Sequence, residues 1–139
     1  IVMAQSAYLL LAFVHIGLVP DAGATWLVAK SVGRQRAMKM ALLGEKIAAD
    51  EALAMGLVTE IAADDAVLAR AQAMAAKLAA GPSKAIGLIR SQVNAAVAQS
   101  LADSLMTERG NQRDCGYSED FKEAIAAFGE KRKPVFKGR

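Results

Sequence analysis

From Val67 to Phe128 the sequence sets apolar side chains at three- and four-residue intervals, and any fold for this chain has to accommodate that helical periodicity. Val67, Leu68, Ala71, Met74, Ala75 and Leu78 mark one helix, and Ile86, Ile89, Val93 and Val97 a second. Leu101 and Leu105, continuing to about Arg109, mark a third; Phe121, Ile125 and Phe128 mark a fourth. Gly81-Pro82 separates the first two, and the last ends near Gly129 or in the basic segment before Pro134. Side chains three and four apart share a helix face, so each helix has an apolar face to cover.

The first third reads differently. Residues 1–3 and 8–14 are short apolar runs with the character of strands or buried core segments, and Pro20 stops regular structure before the turn chemistry of Asp21-Ala22-Gly23. Residues 25–32 predict a short helix, Gly33 interrupts it, and residues 35–43 predict another that Gly44 caps. Residues 48–55 are helical with Glu51 in the first turn, where a carboxylate suits the dipole, and Gly56 ends them before a strand-like stretch at 57–61. A few short strands near the start of a mostly helical chain form a sheet remnant that wants more partners than the sequence contains.

With 139 residues, 54% hydrophobic and 22% charged, the composition is that of a globular chain. The formal charge of +3 gathers partly in Lys131-Arg132-Lys133 and at residues 137–139, too mild and too local to argue for nucleic acid. The longest apolar run, residues 8–14, falls far short of the roughly 20 residues of a membrane-spanning helix. His15 is the only histidine and Cys115 the only cysteine, which rules out an internal disulfide and gives no metal-ligand cluster; a reducing, cytoplasmic compartment is expected. The chain opens on Ile1 without an initiator Met or a basic leader, so residue 1 is not expected to be a natural N-terminus.

The stretch Phe13-Val14-His15-Ile16-Gly17-Leu18-Val19-Pro20-Asp21-Ala22-Gly23-Ala24-Thr25-Trp26 resembles the signature segment of the crotonase superfamily, the enoyl-CoA hydratases and isomerases. Val32-Gly33-Arg34, Ala37-Met38, Leu42, Gly44-Glu45, Ala48, Glu51-Ala52, Gly56-Leu57-Val58 and Ala127-Phe128-Gly129-Glu130-Lys131-Arg132 extend the likeness over nearly the whole chain. The resemblance implies an α/β fold of the crotonase (ClpP-like) type, a spiral of ββα turns. Of it, this chain would hold the C-terminal portion, mostly helical with a remnant of the sheet layer. Residues 1–63 would end the spiral core, and residues 64–139 would form a helical region that packs subunits into trimers or hexamers. It further implies an acyl-CoA substrate, with coenzyme A part of the substrate and no separate cofactor. Two backbone N–H groups would stabilise the enolate-like oxygen, both contributed upstream of this chain, so the chain alone is expected to be inactive.

Asp21 falls where the dienoyl-CoA isomerase, the chlorobenzoyl-CoA dehalogenase and the ring-epoxide isomerase of phenylacetate breakdown resemble one another in carrying an active-site Asp. A carboxylate there can act as general base and proton shuttle; the plainer alternative is a turn or N-cap Asp for the following helix. Phe13 stands where typical hydratases hold one of two catalytic glutamates, which disfavours simple hydration and leaves a core aromatic or an acyl-pocket wall. His15, read as alternating with Val14 and Ile16 on a strand, faces away from the apolar side and is not expected to be catalytic. Cys115 has no nearby base and reads as an idle thiol. By the same resemblance Val19, Pro20, Gly23 and Trp26 are candidate substrate contacts, although Trp26 also reads as plain packing. Gly17 and Gly23 permit close backbone approach at a helix N-terminus; Ala24 stands where many relatives have glycine. Phe128 and Lys131 match positions that cover the CoA adenine and contact its phosphates, often from a neighbouring subunit; an aromatic anchor and a solvated lysine are the alternative.

The expected function is double-bond or ring isomerisation of an acyl-CoA through a stabilised enolate with Asp21 as proton shuttle, closest in type to the 2-(1,2-epoxy-1,2-dihydrophenyl)acetyl-CoA isomerase of phenylacetate degradation. The Pro20-Asp21 turn, the Ser118-Glu119-Asp120-Phe121 helix start and the ending at residues 134–139 support that choice. An enoyl-CoA hydratase of fatty-acid β-oxidation and a non-catalytic oligomerisation module are the alternatives. No nucleic-acid or membrane partner is expected.

Overall fold

The computed structural model describes residues 1–139 and divides into two compact units, Ile1–Gln72 and Ala73–Arg139. In the first, β1 (Val2–Ala4) pairs in parallel with β4 (Glu60–Ala62), Met3 opposite Ile61, and β2 (Tyr8–Leu9) pairs antiparallel with β3 (Ile47–Ala48), Leu9 opposite Ile47. The short strands therefore pair with one another in two two-stranded ladders. Around them lie a 3-10 turn (Ala12–Ile16) and helices α1 (Ala24–Val32), α2 (Arg34–Leu43) and α3 (Ala49–Ala54). Met3, Val32, Ala37, Met40, Ile47, Ala49, Ala52 and Val58 form one buried cluster, to which every one of these helices and β1 and β3 contribute.

Two readings of the first third are corrected. Residues 8–14 do not run as one strand. β3 offers a partner for only two residues, and Gly17, at φ 71, closes the next segment as a 3-10 turn by donating its N–H to the carbonyls of Phe13 and Val14. His15 thus sits on a helical turn rather than on a strand with alternating faces. The strand expected at 57–61 begins three residues later, at Glu60. The Leu57 N–H returns to the Ala52 carbonyl at 2.9 Å and closes α3, and Thr59 N–H reaches Ile1 O at 2.9 Å, so these residues are already committed.

The glycine punctuation operates where expected. Gly33 (φ 81) joins α1 to α2, and Gly44 (φ 58) ends α2 with its N–H on the Met40 carbonyl at 3.2 Å. Asp50 and Glu51 occupy the first turn of α3.

Helix α4 (Val67–Ala79) contains the point of division. Before that point, Arg70 pairs with Glu60 through both carboxylate oxygens and holds its carboxyl below the usual range. The Asp64 carboxyl is also lowered, by the Ser6 side chain first and by the Ser6 N–H, which donates to it at 3.0 Å. The second unit holds α5 (Ser83–Ala96), α6 (Leu101–Gly116), α7 (Glu119–Gly129) and a tail that returns along α7. Ser100 and Ser118 cap α6 and α7, accepting the N–H groups of Asp103 and Phe121. Beyond Gln72 only Ser118, Asp120 and Ala127 are buried.

Candidate functional site

The candidate residues fall into two groups, one in each compact unit. In the first unit the 3-10 turn is followed by an irregular link, in which Leu18 N–H donates to Phe13 O at 3.0 Å and Ala24 N–H to Asp21 O at 2.9 Å. The first bond closes residues 13–18 and the second residues 21–24. Ala22 (φ 50) and Gly23 (φ 79) both lie in the left-handed region, natural for the glycine and strained for the alanine. Gly23 is the N-cap of α1, and no side chain caps that helix. The Asp21 carboxylate is exposed and accepts no hydrogen bond, so it does not serve as the helix cap.

The neighbours of Asp21 are apolar and exposed. Ile16, Leu18 and Val19 stand in solvent, Val19 at 81% exposure, while Pro20 and Phe13 are half-buried. Trp26, 47% exposed, lies on the first turns of α1 with Lys30 Nζ 5.7 Å from its ring centre, one helical turn along. A carboxylate without partners among exposed apolar groups can take and return a proton, and it can face an apolar chain without first breaking an internal bond. The same unit holds an apolar cavity of about 110 Å³ whose lining includes Leu11, Thr25, Val28, Ala37 and Met38 together with Arg34.

His15 has a definite task. Its Nε2 lies 2.8 Å from the Gly44 carbonyl, tying the 3-10 turn to the end of α2. Gly44 is buried against it, and a Cβ there would lie 2.6 Å from His15 Nε2 and 2.9 Å from Val14 Cγ1. Nothing in the periodicity of the sequence pairs residues 15 and 44.

In the second unit Phe128 is 87% exposed on the last turn of α7, and Lys131, also exposed, follows at φ 55. Lys131 N–H donates to Phe128 O at 3.2 Å and Arg132 N–H to Ala127 O at 3.0 Å, the pattern that closes a helix with a left-handed residue. Cys115 is half-buried near the end of α6, where its carbonyl accepts the Ser118 hydroxyl at 2.6 Å. It lines an apolar cavity of about 170 Å³ with Phe121, Ala124 and Phe136.

Two carboxylates make contacts with the tail that the sequence did not announce. Asp120, 4% exposed, accepts the N–H groups of Lys137 and Gly138 at 2.7 and 2.9 Å. Glu123 accepts two bonds from Arg132 and one from Val135 N–H, which hold its carboxyl down to about 2. Their partners lie nine to eighteen positions away, outside any helical spacing, and the only hint in the sequence was the crowding of acids on α7 ahead of a basic tail. No group of three or more His, Cys, Asp or Glu side chains is placed to hold a metal ion, and no helix is long and apolar enough to cross a membrane.

A sequence model of the family described as enoyl-CoA hydratase/isomerase matches residues 1–139. The chain is 39% identical over 139 residues to the 1,2-epoxyphenylacetyl-CoA isomerase of Escherichia coli K12, covering 100% of this chain and 53% of that protein. It is 45% identical over 139 residues to a probable enoyl-CoA hydratase of Rhodobacter capsulatus, covering 100% of this chain and 54% of the relative. Among solved structures, an enoyl-CoA hydratase subunit of Geobacillus kaustophilus superposes with a TM-score of 0.96 at 34% identity, over 99% of this chain and 54% of that one. The expected fold is thereby borne out, and the chain spans about half the length of the relatives it matches.

Proposed function

The chain belongs to the enoyl-CoA hydratase/isomerase family, the crotonases, and from that premise we propose that the whole protein isomerises an acyl-CoA thioester, with the Asp21 carboxylate as its proton shuttle. The observation that carries this reading is the state of Asp21: exposed, accepting no hydrogen bond, not used as a helix cap, and set among exposed apolar side chains. In the reaction the carboxylate removes a proton from carbon beside the thioester. The negative charge spreads onto the thioester oxygen, and the proton returns to a different carbon, so the double bond moves and nothing is consumed. A single carboxylate suffices for that. Hydration requires a second group to activate water, and Phe13 stands where a hydratase-type glutamate would be expected. The likeness to the Escherichia coli 1,2-epoxyphenylacetyl-CoA isomerase supports isomerisation, including that of a ring substrate.

Phe13, Val19, Pro20, Gly23 and Trp26 are proposed to border the acyl group, and Phe128 and Lys131 to meet the nucleotide end of coenzyme A. The second unit, with few buried residues and much exposed apolar surface, is proposed as the subunit-contact region of a trimer or hexamer. The second reading, an enoyl-CoA hydratase, draws on the 45% identity to the Rhodobacter capsulatus relative.

The test is to establish the intact mass of the protein and assay the full-length form for both enoyl-CoA isomerisation and hydration, with Asp21→Asn beside it. Isomerisation lowered by roughly 10²- to 10⁴-fold in Asp21→Asn, with the thioester still bound, is the expected result. Hydration that proceeds undiminished in Asp21→Asn would replace the isomerase reading with the hydratase one.

A further inference from the structure

Glu123 is half-buried on α7 and its carboxylate is fully occupied. Its two oxygens accept from Arg132 Nη1 and Nη2 at 2.5 and 3.0 Å, and one of them also accepts Val135 N–H at 2.8 Å. Arg132 is held a second time by Glu130, through Nε at 2.5 Å. The bonds from Arg132 and Val135 close a loop that begins where α7 ends, and the corner of that loop is Phe128 to Arg132.

The corner is unlike the rest of the tail. Its aromatic ring is the most exposed large apolar side chain of the chain, at 87%, and Lys131 takes a left-handed conformation that side chains rarely adopt. The Lys131 ammonium carries no ion pair, whereas Arg132 next to it is neutralised by two carboxylates. The left-handed turn at Lys131 is the cap that closes α7, but that cap needs neither an exposed aromatic ring at Phe128 nor an uncompensated ammonium beside it. A nucleotide uses both: a bare aromatic face stacks on a base, and an ammonium attracts phosphate as a point charge.

We propose that Glu123 is a positioning residue for the nucleotide end of the coenzyme A thioester, holding the Phe128–Lys131 corner in its binding form through Arg132 and Val135. The inference rests on the acyl-CoA reading above. Asp120 anchors the far end of the tail, by Lys137 and Gly138, and Glu123 anchors the end next to the corner. With Glu123 gone, Glu130 is the one carboxylate left to Arg132, and the segment that leaves the corner loses both of its ties to α7 through Glu123, at Arg132 and at Val135.

The test compares an acyl-CoA with the same acyl group carried on pantetheine, which lacks the nucleotide, in the full-length protein. The wild type is expected to show the lower KM for the CoA thioester. Glu123→Ala is expected to raise that KM by roughly five- to twentyfold, with kcat and the pantetheine KM changed by less than about twofold. Arg132→Gln, which breaks the same clamp from its other side, is expected to give the same split. A preference for CoA that survives both substitutions overturns the proposal and leaves the acyl-CoA reading standing. Loss of kcat on both thioesters alike marks a merely structural role and overturns it too. Equal KM values for the two thioesters in the wild type overturn the nucleotide role of the corner, and the proposal with it.

Discussion

At the scale of single residues, a left-handed backbone position matters most where a neighbour occupies the space a side chain would need. Gly44 is such a place: its φ of 58 disfavours any Cβ, and His15 Nε2 already sits 2.6 Å from where that Cβ would be. Gly44→Ala therefore meets backbone strain and also drives the imidazole off the Gly44 carbonyl, the bond that ties the turn preceding Asp21 to the end of α2. A loss of about 1–3 kcal/mol is expected by denaturant unfolding. In a His15→Ala background the same substitution is expected to cost measurably less, because the imidazole clash is gone and only the strain and the 2.9 Å approach to Val14 Cγ1 remain. Equal costs in the two backgrounds would refute the contact. Gly33 and Gly56 also have positive φ but open space around them, so strain alone acts there.

At the scale of elements, the Glu123 clamp between α7 and the tail has a pH dependence whose sign follows from its lowered carboxyl. The group titrates at about 2 in the folded chain against an ordinary value of 4.5, so the folded state prefers the charged form. The stability it contributes is complete above about pH 4.5 and is lost as the pH falls through the folded value. The amide of Val135, bonded to this carboxylate, reports on it directly. Its NMR shift is expected to stay flat from neutral pH down to about 4 and to move only towards pH 2; a midpoint near 4.5 would show that the clamp does not form. This contact also marks how far the sequence could be read. Helices α4 to α7 were legible because their apolar residues repeat at helical intervals, and the breaks at Gly33, Gly44 and Gly81-Pro82 were legible because glycine and proline act through their own backbones. The fold family and Asp21 came from resemblance rather than from periodicity. What stayed hidden depends on pairing between distant residues: the two-residue reach of β3, which ends the strand at Leu9, the His15 bond to Gly44, and the tail's return to Asp120 and Glu123. No local rule connects residue 15 with 44, or 120 with 138.

At the scale of the whole molecule, the distribution of burial separates the two units. The first encloses a cluster of eight buried residues from Met3 to Val58, whereas the second buries only Ser118, Asp120 and Ala127. Its helices carry apolar stripes at regular spacing, yet Ile89, Val93, Leu105, Met106 and Ile125 are all more than half exposed. Scattered apolar side chains on a surface are ordinary, but repeated ones along α5, α6 and α7 are the kind of surface that protein contacts cover. The proposed role of this unit in subunit contacts has a direct consequence for the chain as a molecule in solution. Expressed by itself, it is expected to scatter light as a species of several times 14.6 kDa. Leu105→Glu places a charge on an exposed position of α6, so it is expected to leave the helix content unchanged and to lower the scattering mass, because burying an unpaired charge in an interface is unfavourable. If the unsubstituted chain runs as a monodisperse monomer, its apolar helix faces are not contact surfaces, and the oligomeric part of the proposal falls. If Leu105→Glu leaves a large species intact, the contacts lie on other faces than that of α6.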